Sequence, residues 1–167
     1  CKKDNSIENL NWFIINQYQS PHLGEAKLLR NKLAFDLALA ENTEFGYLNF
    51  TKKYPDSDEF YVAKDSIESI NYSVALKGNS ISSFQQFIDK FPRSQKITIA
   101  KSKMWFIAYN DARNLNTKQS YRDFIRKYPA SDLVDKAQLA IELLDWEVAL
   151  KENTKEGFVS FSISYLH

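Results

Sequence analysis

The sequence predicts an all-α solenoid built from helix pairs that repeat every 37 residues. An aromatic-x-x-Phe-x-x-Lys-aromatic-Pro-x-Ser motif occurs three times, with its prolines at positions 55, 92 and 129. Within each repeat, apolar residues recur every three or four positions, which is the period of an amphipathic helix. The 167 residues include only 4 glycines and 4 prolines, fewer than the many tight turns of a β-sandwich or barrel require.

Residues 37 positions apart form columns of similar side chains, and no insertion or deletion interrupts them. Two columns are small, one is aromatic and one contains only phenylalanine. Their members are Ala26, Ala63, Ala100, Ala137; Ala38, Ala75, Ala112, Ala149; Phe35, Tyr72, Tyr109, Trp146; and Phe13, Phe50, Phe87, Phe124, Phe161. Small side chains let helix backbones approach closely and aromatic side chains fill the space between pairs, so stacked repeats would bury one continuous core.

Each repeat is predicted to begin with a long helix, here called a first-type helix. In the second repeat it would run from Ser57 to about Leu76, because the apolar residues between these positions share one helical face. Serine is a favoured N-cap, so Ser57 and its equivalents Ser20, Ser94 and Ser131 are predicted to begin these helices. Pro21 would then occupy a first helical position.

A shorter helix, here called a second-type helix, is predicted to follow. Asn42, Asn79, Asn116 and Asn153 stand where a first-type helix would end, and asparagine tolerates the left-handed conformation found there. The next residue is always Thr or Ser, which would cap the second-type helix. Proline at 55, 92 and 129 would end it, because the residue before a proline avoids the α region.

The register divides the chain into a tether, residues 1–4, and a single solenoid, residues 5–167. The solenoid comprises a half repeat, 5–19, and four repeats, 20–56, 57–93, 94–130 and 131–167. In the last segment Val159, Phe161, Ile163 and Tyr165 alternate with other residues, a strand-like period. The repeat context favours a short capping helix there; an extended tail, or a chain cut within a repeat, is the alternative.

The Tyr-x-x-Phe-x-x-Lys-Tyr-Pro-x-Ser pattern, with the helix that follows it, resembles the tetratricopeptide-like repeats of bacterial envelope proteins. Outer-membrane assembly lipoproteins of the BamD type and the periplasmic coordinator of the Tol–Pal system are similar. The resemblance covers the chain from Asn5 to about Phe161. It implies a right-handed superhelix of antiparallel helix pairs that binds protein partners in the cell envelope.

The single cysteine, Cys1, resembles the lipidated first residue of a mature bacterial lipoprotein. The start Cys1-Lys2-Lys3-Asp4 lacks the aspartate at the second position that resembles an inner-membrane retention signal, so the outer membrane is expected. Lysine and acidic residues after the cysteine also resemble the surface-export signal of Bacteroidetes-type lipoproteins. An extended three-residue tether would reach roughly 10 Å, which would hold the first helix near the lipid headgroups. The alternative is an ordinary thiol in a sequence that simply starts here.

No pattern in the sequence indicates catalysis, a metal or a cofactor. The two histidines, His22 and His167, have no equivalents in the repeat, and no zinc, calcium, phosphate-loop or dinucleotide motif occurs. The formal net charge is +1 and basic residues alternate with acidic ones, which disfavours nucleic acid as a partner. The sequence therefore predicts a protein that is not an enzyme and has no cofactor.

Apolar residues that depart from their columns are the candidate partner-binding residues, because packing within the repeat does not explain them. They are Trp12, Phe45, Tyr61, Trp105 and Phe106. Phe45 stands in a column of Glu, Ser and Gln, so its side chain should be exposed. Trp105 and Phe106 make residues 104–107 apolar all round, either as a thicker core or as a docking patch. Trp12 would lie at a membrane interface or cover the open end of the core.

The function predicted from these features is a non-catalytic, lipid-anchored scaffold of the bacterial outer membrane, an accessory subunit of an envelope complex. Two alternatives remain open. The chain could be a soluble periplasmic adaptor or the repeat region of a larger envelope protein. It could also be a surface lipoprotein that binds a peptide or glycan.

Overall fold

The computed structural model describes residues 6–165, and all the regular structure within that range is α-helical. Short helices of 10 residues alternate with long helices of 19 residues. The helices are α1 (Ile7–Asn16), α2 (Leu23–Glu41), α3 (Glu44–Lys53), α4 (Phe60–Gly78), α5 (Ile81–Lys90), α6 (Ile97–Leu115), α7 (Lys118–Lys127), α8 (Val134–Glu152) and α9 (Lys155–Ser164). The prediction of an all-α fold is confirmed. Over this range, no helix is long and apolar enough to cross a membrane.

The chain divides into two compact units, with the boundary between Val74 and Ala75 inside α4. In the first unit, α2 packs against both α1 and α3. In the second unit, α6 packs against α5 and α7, and α8 packs against α7 and α9. Within each unit a long helix is therefore held between the short helices that precede and follow it.

Four asparagines connect long helices to short ones, and each adopts the left-handed conformation that the sequence predicts. Their φ angles are 47° at Asn42, 39° at Asn79, 46° at Asn116 and 49° at Asn153, and no other non-glycine residue from 6 to 165 has a positive φ. The hydroxyl of the next residue then caps the short helix. Thr43, for example, accepts a hydrogen bond from the backbone N–H of Gly46 at 3.0 Å. The predicted connection between the two helices is confirmed.

Replacing Asn116 with alanine is expected to lower the free energy of unfolding by about 1–2 kcal/mol, because alanine pays the steric cost of the left-handed conformation. Asn116→Gly should be close to neutral, since glycine adopts this conformation without strain. Urea denaturation followed by circular dichroism measures both variants. Equal stability of the alanine and glycine variants would show that the backbone conformation contributes little.

The predicted starts of the first-type helices are wrong by about three residues. Ser57 lies before α4: its backbone carbonyl accepts from Phe60 N–H at 3.0 Å, and its hydroxyl accepts from Glu59 N–H at 3.3 Å. Ser20, Ser94 and Ser131 form the same backbone turn. The backbone carbonyl of the serine closes a tight turn by accepting a hydrogen bond from the N–H three residues ahead. The α-helix begins only where that turn ends. Pro21 therefore lies two residues before α2, which begins at Leu23, and does not occupy the predicted first helical position.

The last segment is helical, as the repeat context predicts, and over its described residues it is not an extended tail. Thr154 caps α9 by accepting from Gly157 N–H at 3.0 Å. Two rings of α9, Phe158 and Phe161, lie 5.7 and 5.1 Å from the ring of Trp146 in α8. Phe158 and Phe161 are three positions apart, so they share one face of a helix and can both contact Trp146. These aromatic contacts with α8 outweigh the strand-like alternation.

The core follows the small and aromatic columns. Ala63, Ala100 and Ala137 are fully buried, and Phe50, Phe87 and Phe124 are 2–3% exposed. In each unit an aromatic ring of a long helix contacts the phenylalanine of the next short helix. The ring centres of Phe35 and Phe50 lie 5.3 Å apart, and those of Tyr109 and Phe124 lie 5.7 Å apart. The two alanine columns and the three central phenylalanines therefore fill the core as predicted. The aromatic column does so only in part, because Phe35, Tyr72 and Tyr109 are half-buried and Trp146 is 38% exposed. Phe13 and Phe161, at the two ends of the phenylalanine column, are half-buried.

Candidate functional site

The five aromatic residues predicted to bind a partner are distributed over α1, α3, α4 and α6. Four are largely exposed: Trp12 at 61%, Phe45 at 69%, Tyr61 at 75% and Phe106 at 58%. Trp105 is half-buried. The predicted exposure of Phe45 is confirmed, whereas contact with a partner stays a prediction for all five. Cys1, the predicted lipidation site, lies outside the described residues.

Residues 104–107 combine both interpretations of this apolar segment. Met104 is buried at 5% exposure and belongs to the core, while Phe106 projects to the surface. The segment is therefore core on one side of α6 and carries an exposed ring on the other. Tyr61 also has an aromatic neighbour, since its ring lies 5.4 Å from that of Phe60.

A groove of about 230 Å³ lies between α5, α6 and α7, here called the first groove. Most of its lining is apolar, and four polar residues complete it. The lining residues are Ile81, Ala108, Ala112, Leu115, Phe124 and Tyr128, with Asp111, Ser120, Asp123 and Lys127. Leu115 is 70% exposed and stands at the edge of the groove.

A second groove, of about 330 Å³, lies between α7, α8 and α9. Its lining contains the residue 37 positions after every lining residue of the first groove, together with Arg122. The chemistry differs because polar side chains replace apolar ones at three of these positions. Lys118 stands for Ile81, Asp145 for Ala108 and Glu152 for Leu115. The repeat thus places the same groove twice in the second unit and gives it two different linings.

Asp145 is the centre of a polar cluster in the second groove. Its Oδ1 lies 2.5 Å from Nζ of Lys118 in α7, and its Oδ2 accepts a hydrogen bond from the hydroxyl of Tyr165 at 2.8 Å. Burial raises the pKa of Asp145, but hydrogen bonds from Lys118 and Tyr165 outweigh it, and the pKa lies below its ordinary value. Burial and the hydrogen bond to Asp145 raise the pKa of Tyr165 to about 12. Asp145 is therefore ionised and Tyr165 neutral at pH 7, and the cluster joins α7, α8 and the end of α9.

The first groove lacks this cluster. Tyr128 is the equivalent of Tyr165, but Ala108 stands in place of the acceptor Asp145. The hydroxyl oxygen of Tyr128 is buried and has no hydrogen-bond partner among the described residues. A buried hydroxyl without a partner is unfavourable, because it has lost its hydration without compensation.

Removing the two hydroxyls is expected to have opposite effects. Tyr165→Phe should lower the free energy of unfolding by about 1–2 kcal/mol, because it removes a hydrogen bond to an ionised carboxylate at a partly exposed site. Tyr128→Phe should leave it unchanged or raise it by about 1 kcal/mol. The two substitutions are chemically identical and fall at equivalent positions of the repeat, so urea denaturation of both is a controlled comparison. Equal losses of stability would contradict this account.

The first groove is not predicted from the sequence, although one feature of the sequence points to it. Leu115 is apolar in a column that otherwise contains Glu41, Gly78 and Glu152, the same kind of departure that identifies Phe45. Ile81 is less conspicuous, because its column contains a second isoleucine, Ile7, beside Glu44, Lys118 and Lys155. Only the folded chain shows that Ile81 and Leu115 line one groove.

Among residues 6–165, no group of three His, Cys, Asp or Glu side chains is placed to hold a metal ion.

Comparison with known proteins assigns no family. No model of a known protein family matches the chain, and no curated protein sequence matches it.

Proposed function

We propose that this chain is a tetratricopeptide-like solenoid that acts as a non-catalytic scaffold and holds a protein partner in the bacterial cell envelope. One observation carries the proposal. The helix pair recurs in the same register with the same connections, while several large aromatic side chains that interrupt the register are exposed. Stacked helix pairs form extended surfaces, and exposed aromatic residues are the side chains that most often anchor protein interfaces.

The exposed aromatic residues contribute little to the core, since an exposed polar residue stands at the equivalent position of at least one other repeat. Phe45 corresponds to Gln119, Tyr61 to Thr98 and Phe106 to Ser69, and all three polar residues are exposed. A solvated surface would favour the polar residue at each position. Binding to a partner is a reason for the aromatic one, because it would remove the ring from water on association.

Photo-crosslinking in the native cells tests the scaffold function. A photoreactive phenylalanine analogue is placed singly at Phe45, Tyr61 and Phe106, and at the matched positions Gln119, Thr98 and Ser69. We expect the aromatic positions to crosslink to a discrete envelope protein and the matched positions not to. Crosslinking that is equal at both sets, or absent from both, would overturn the proposal.

We further propose that Cys1 carries a lipid that anchors the scaffold to the outer membrane. The support is the resemblance to bacterial lipoproteins. Two or more acyl chains would make the anchor stable, whereas a single chain binds membranes only marginally. Intact-mass spectrometry of protein from native membranes should show the added acyl chains, and Cys1→Ala should move the protein to the soluble fraction. An unmodified Cys1 would favour the soluble adaptor or the repeat region of a larger protein.

A further inference from the structure

The first groove is the most apolar recess among the grooves described in the second unit, and its lining is apolar at three positions where the second groove is charged. Ile81, Ala108 and Leu115 stand where the second groove has Lys118, Asp145 and Glu152. These three residues lie on two different helices, yet they line one recess. Their convergence produces an apolar site in the first groove where the second groove is charged.

The size of the first groove limits what it can hold. Its volume of about 230 Å³ is below the range of roughly 300–1,000 Å³ that is typical of small-molecule and cofactor pockets. The groove is also open along one side, with Leu115 exposed at its edge. These properties suit one or two apolar side chains of a polypeptide that lies across the surface, and not an enclosed ligand.

The charges around the groove indicate the residues that flank such a side chain. Two of its three charged residues are already engaged: Asp123 pairs with Arg126 at 2.7 Å, and Nζ of Lys127 lies 5.3 Å from the ring centre of Tyr128. Asp111 is exposed and has no ion-pair partner among the described residues. The ring contact leaves the positive charge of Lys127 in place, but Asp111 is the one carboxylate lining the groove that has no ion-pair partner among the described residues. It would attract a cation beside the bound side chain.

We propose that the first groove binds an apolar side chain of a partner peptide that carries a lysine or arginine next to it. The proposal rests on the scaffold function and names the chemistry of one of its contacts. The apolar side chain packs between Ile81, Leu115 and Phe124, and the neighbouring cation pairs with Asp111. The second groove, which Lys118 and Asp145 line, does not accept an apolar group.

Selection from a displayed library of random seven-residue peptides on the immobilised full chain tests this site. We expect the enriched peptides to share a Leu, Ile, Met or Phe next to a Lys or Arg. Leu115→Gln should weaken the binding of these peptides at least about tenfold. Glutamine has the shape of the glutamates Glu41 and Glu152 in the same column, so the helix should tolerate it. Leu37→Gln on α2, where the leucine is 63% exposed, is the matched control and should leave binding unchanged.

A charge reversal makes the test sharper. Selection on Asp111→Lys should keep the apolar residue and replace its basic neighbour with Asp or Glu. Peptides that lack an apolar–basic pair, or that bind equally to the Leu115→Gln variant, would overturn the proposed site. An envelope protein that crosslinks at Phe45 with equal yield in the Leu115→Gln variant would leave the scaffold function standing, and so the two proposals fail separately.

Discussion

Replacing Phe124 with alanine is expected to lower the free energy of unfolding by about 3–5 kcal/mol, the largest effect predicted for a single side chain here. The ring is 3% exposed and lies 5.7 Å from the rings of both Tyr109 and Tyr128. It belongs to the core cluster that joins α6, α7 and α8. Truncation removes the buried ring and leaves a cavity that close-packed neighbours fill only in part.

Phe106→Ala is the control for this measurement, because it removes the same atoms from the same unit at a position that is 58% exposed. It should cost less than about 0.5 kcal/mol, as surface substitutions usually do. Guanidinium denaturation followed by tryptophan fluorescence and by circular dichroism measures both variants. If the two alanine variants were equally stable, the burial assigned to Phe124 would be wrong.

Replacing Asp145 with alanine is expected to cost about 1–2 kcal/mol at pH 7, a value reduced because the side chain of Lys118 is 41% exposed and that of Asp145 is 25% exposed. Alanine stands at the equivalent positions 34 and 108, so the shorter side chain is compatible with the helix. The loss therefore reports the ion pair with Lys118 and the hydrogen bond from Tyr165. The ion pair joins α7 to α8, and the hydrogen bond joins the end of α9 to α8.

The cost of Asp145→Ala should depend on pH in a defined way. The folded-state pKa of Asp145 is lowered, so its stabilising effect is present above the ordinary value of 3.8 and is lost as the pH falls below it. The pKa of Tyr165 is raised from 10.0 to about 12, so its effect is complete below pH 10 and is lost as the pH rises towards 12. Denaturation at a series of pH values measures the difference in free energy of unfolding between wild type and variant. This difference should be constant near neutral pH and should become smaller at both acidic and alkaline pH. A difference that stays constant down to about pH 2 would contradict the ionic account.

Much of the second-groove cluster was hidden from the sequence. Tyr165 belongs to the column of Tyr54, Phe91 and Tyr128, which predicts an aromatic ring packed in the core and no role for its hydroxyl. Its hydroxyl matters because Asp145, one position before the aromatic column, reaches it across the α8–α9 pair at 2.8 Å. The residues are 20 positions apart and neither belongs to a known motif, so only the packing of the two helices brings them together.

The sequence by itself determined the helical class, the alternation of long and short helices, the left-handed asparagines, and the burial of the alanine columns and of Phe50, Phe87 and Phe124. These features are local or periodic: backbone sterics select asparagine after the helix end, and a column recurs because each repeat must bury the same face. The sequence also identified Phe45 as exposed, because departure from a polar column is visible without coordinates.

The tertiary structure alone decided where each long helix begins and which side chains meet in the two grooves. The turn at Ser57 replaces the predicted cap because its carbonyl bonds to Phe60, a choice among competing hydrogen bonds that composition does not reveal. Ile81 and Leu115 come from different helices, and their side chains line one groove only after α5, α6 and α7 have packed. Periodicity specifies the face of a helix, whereas contact between faces depends on the packing of whole helices.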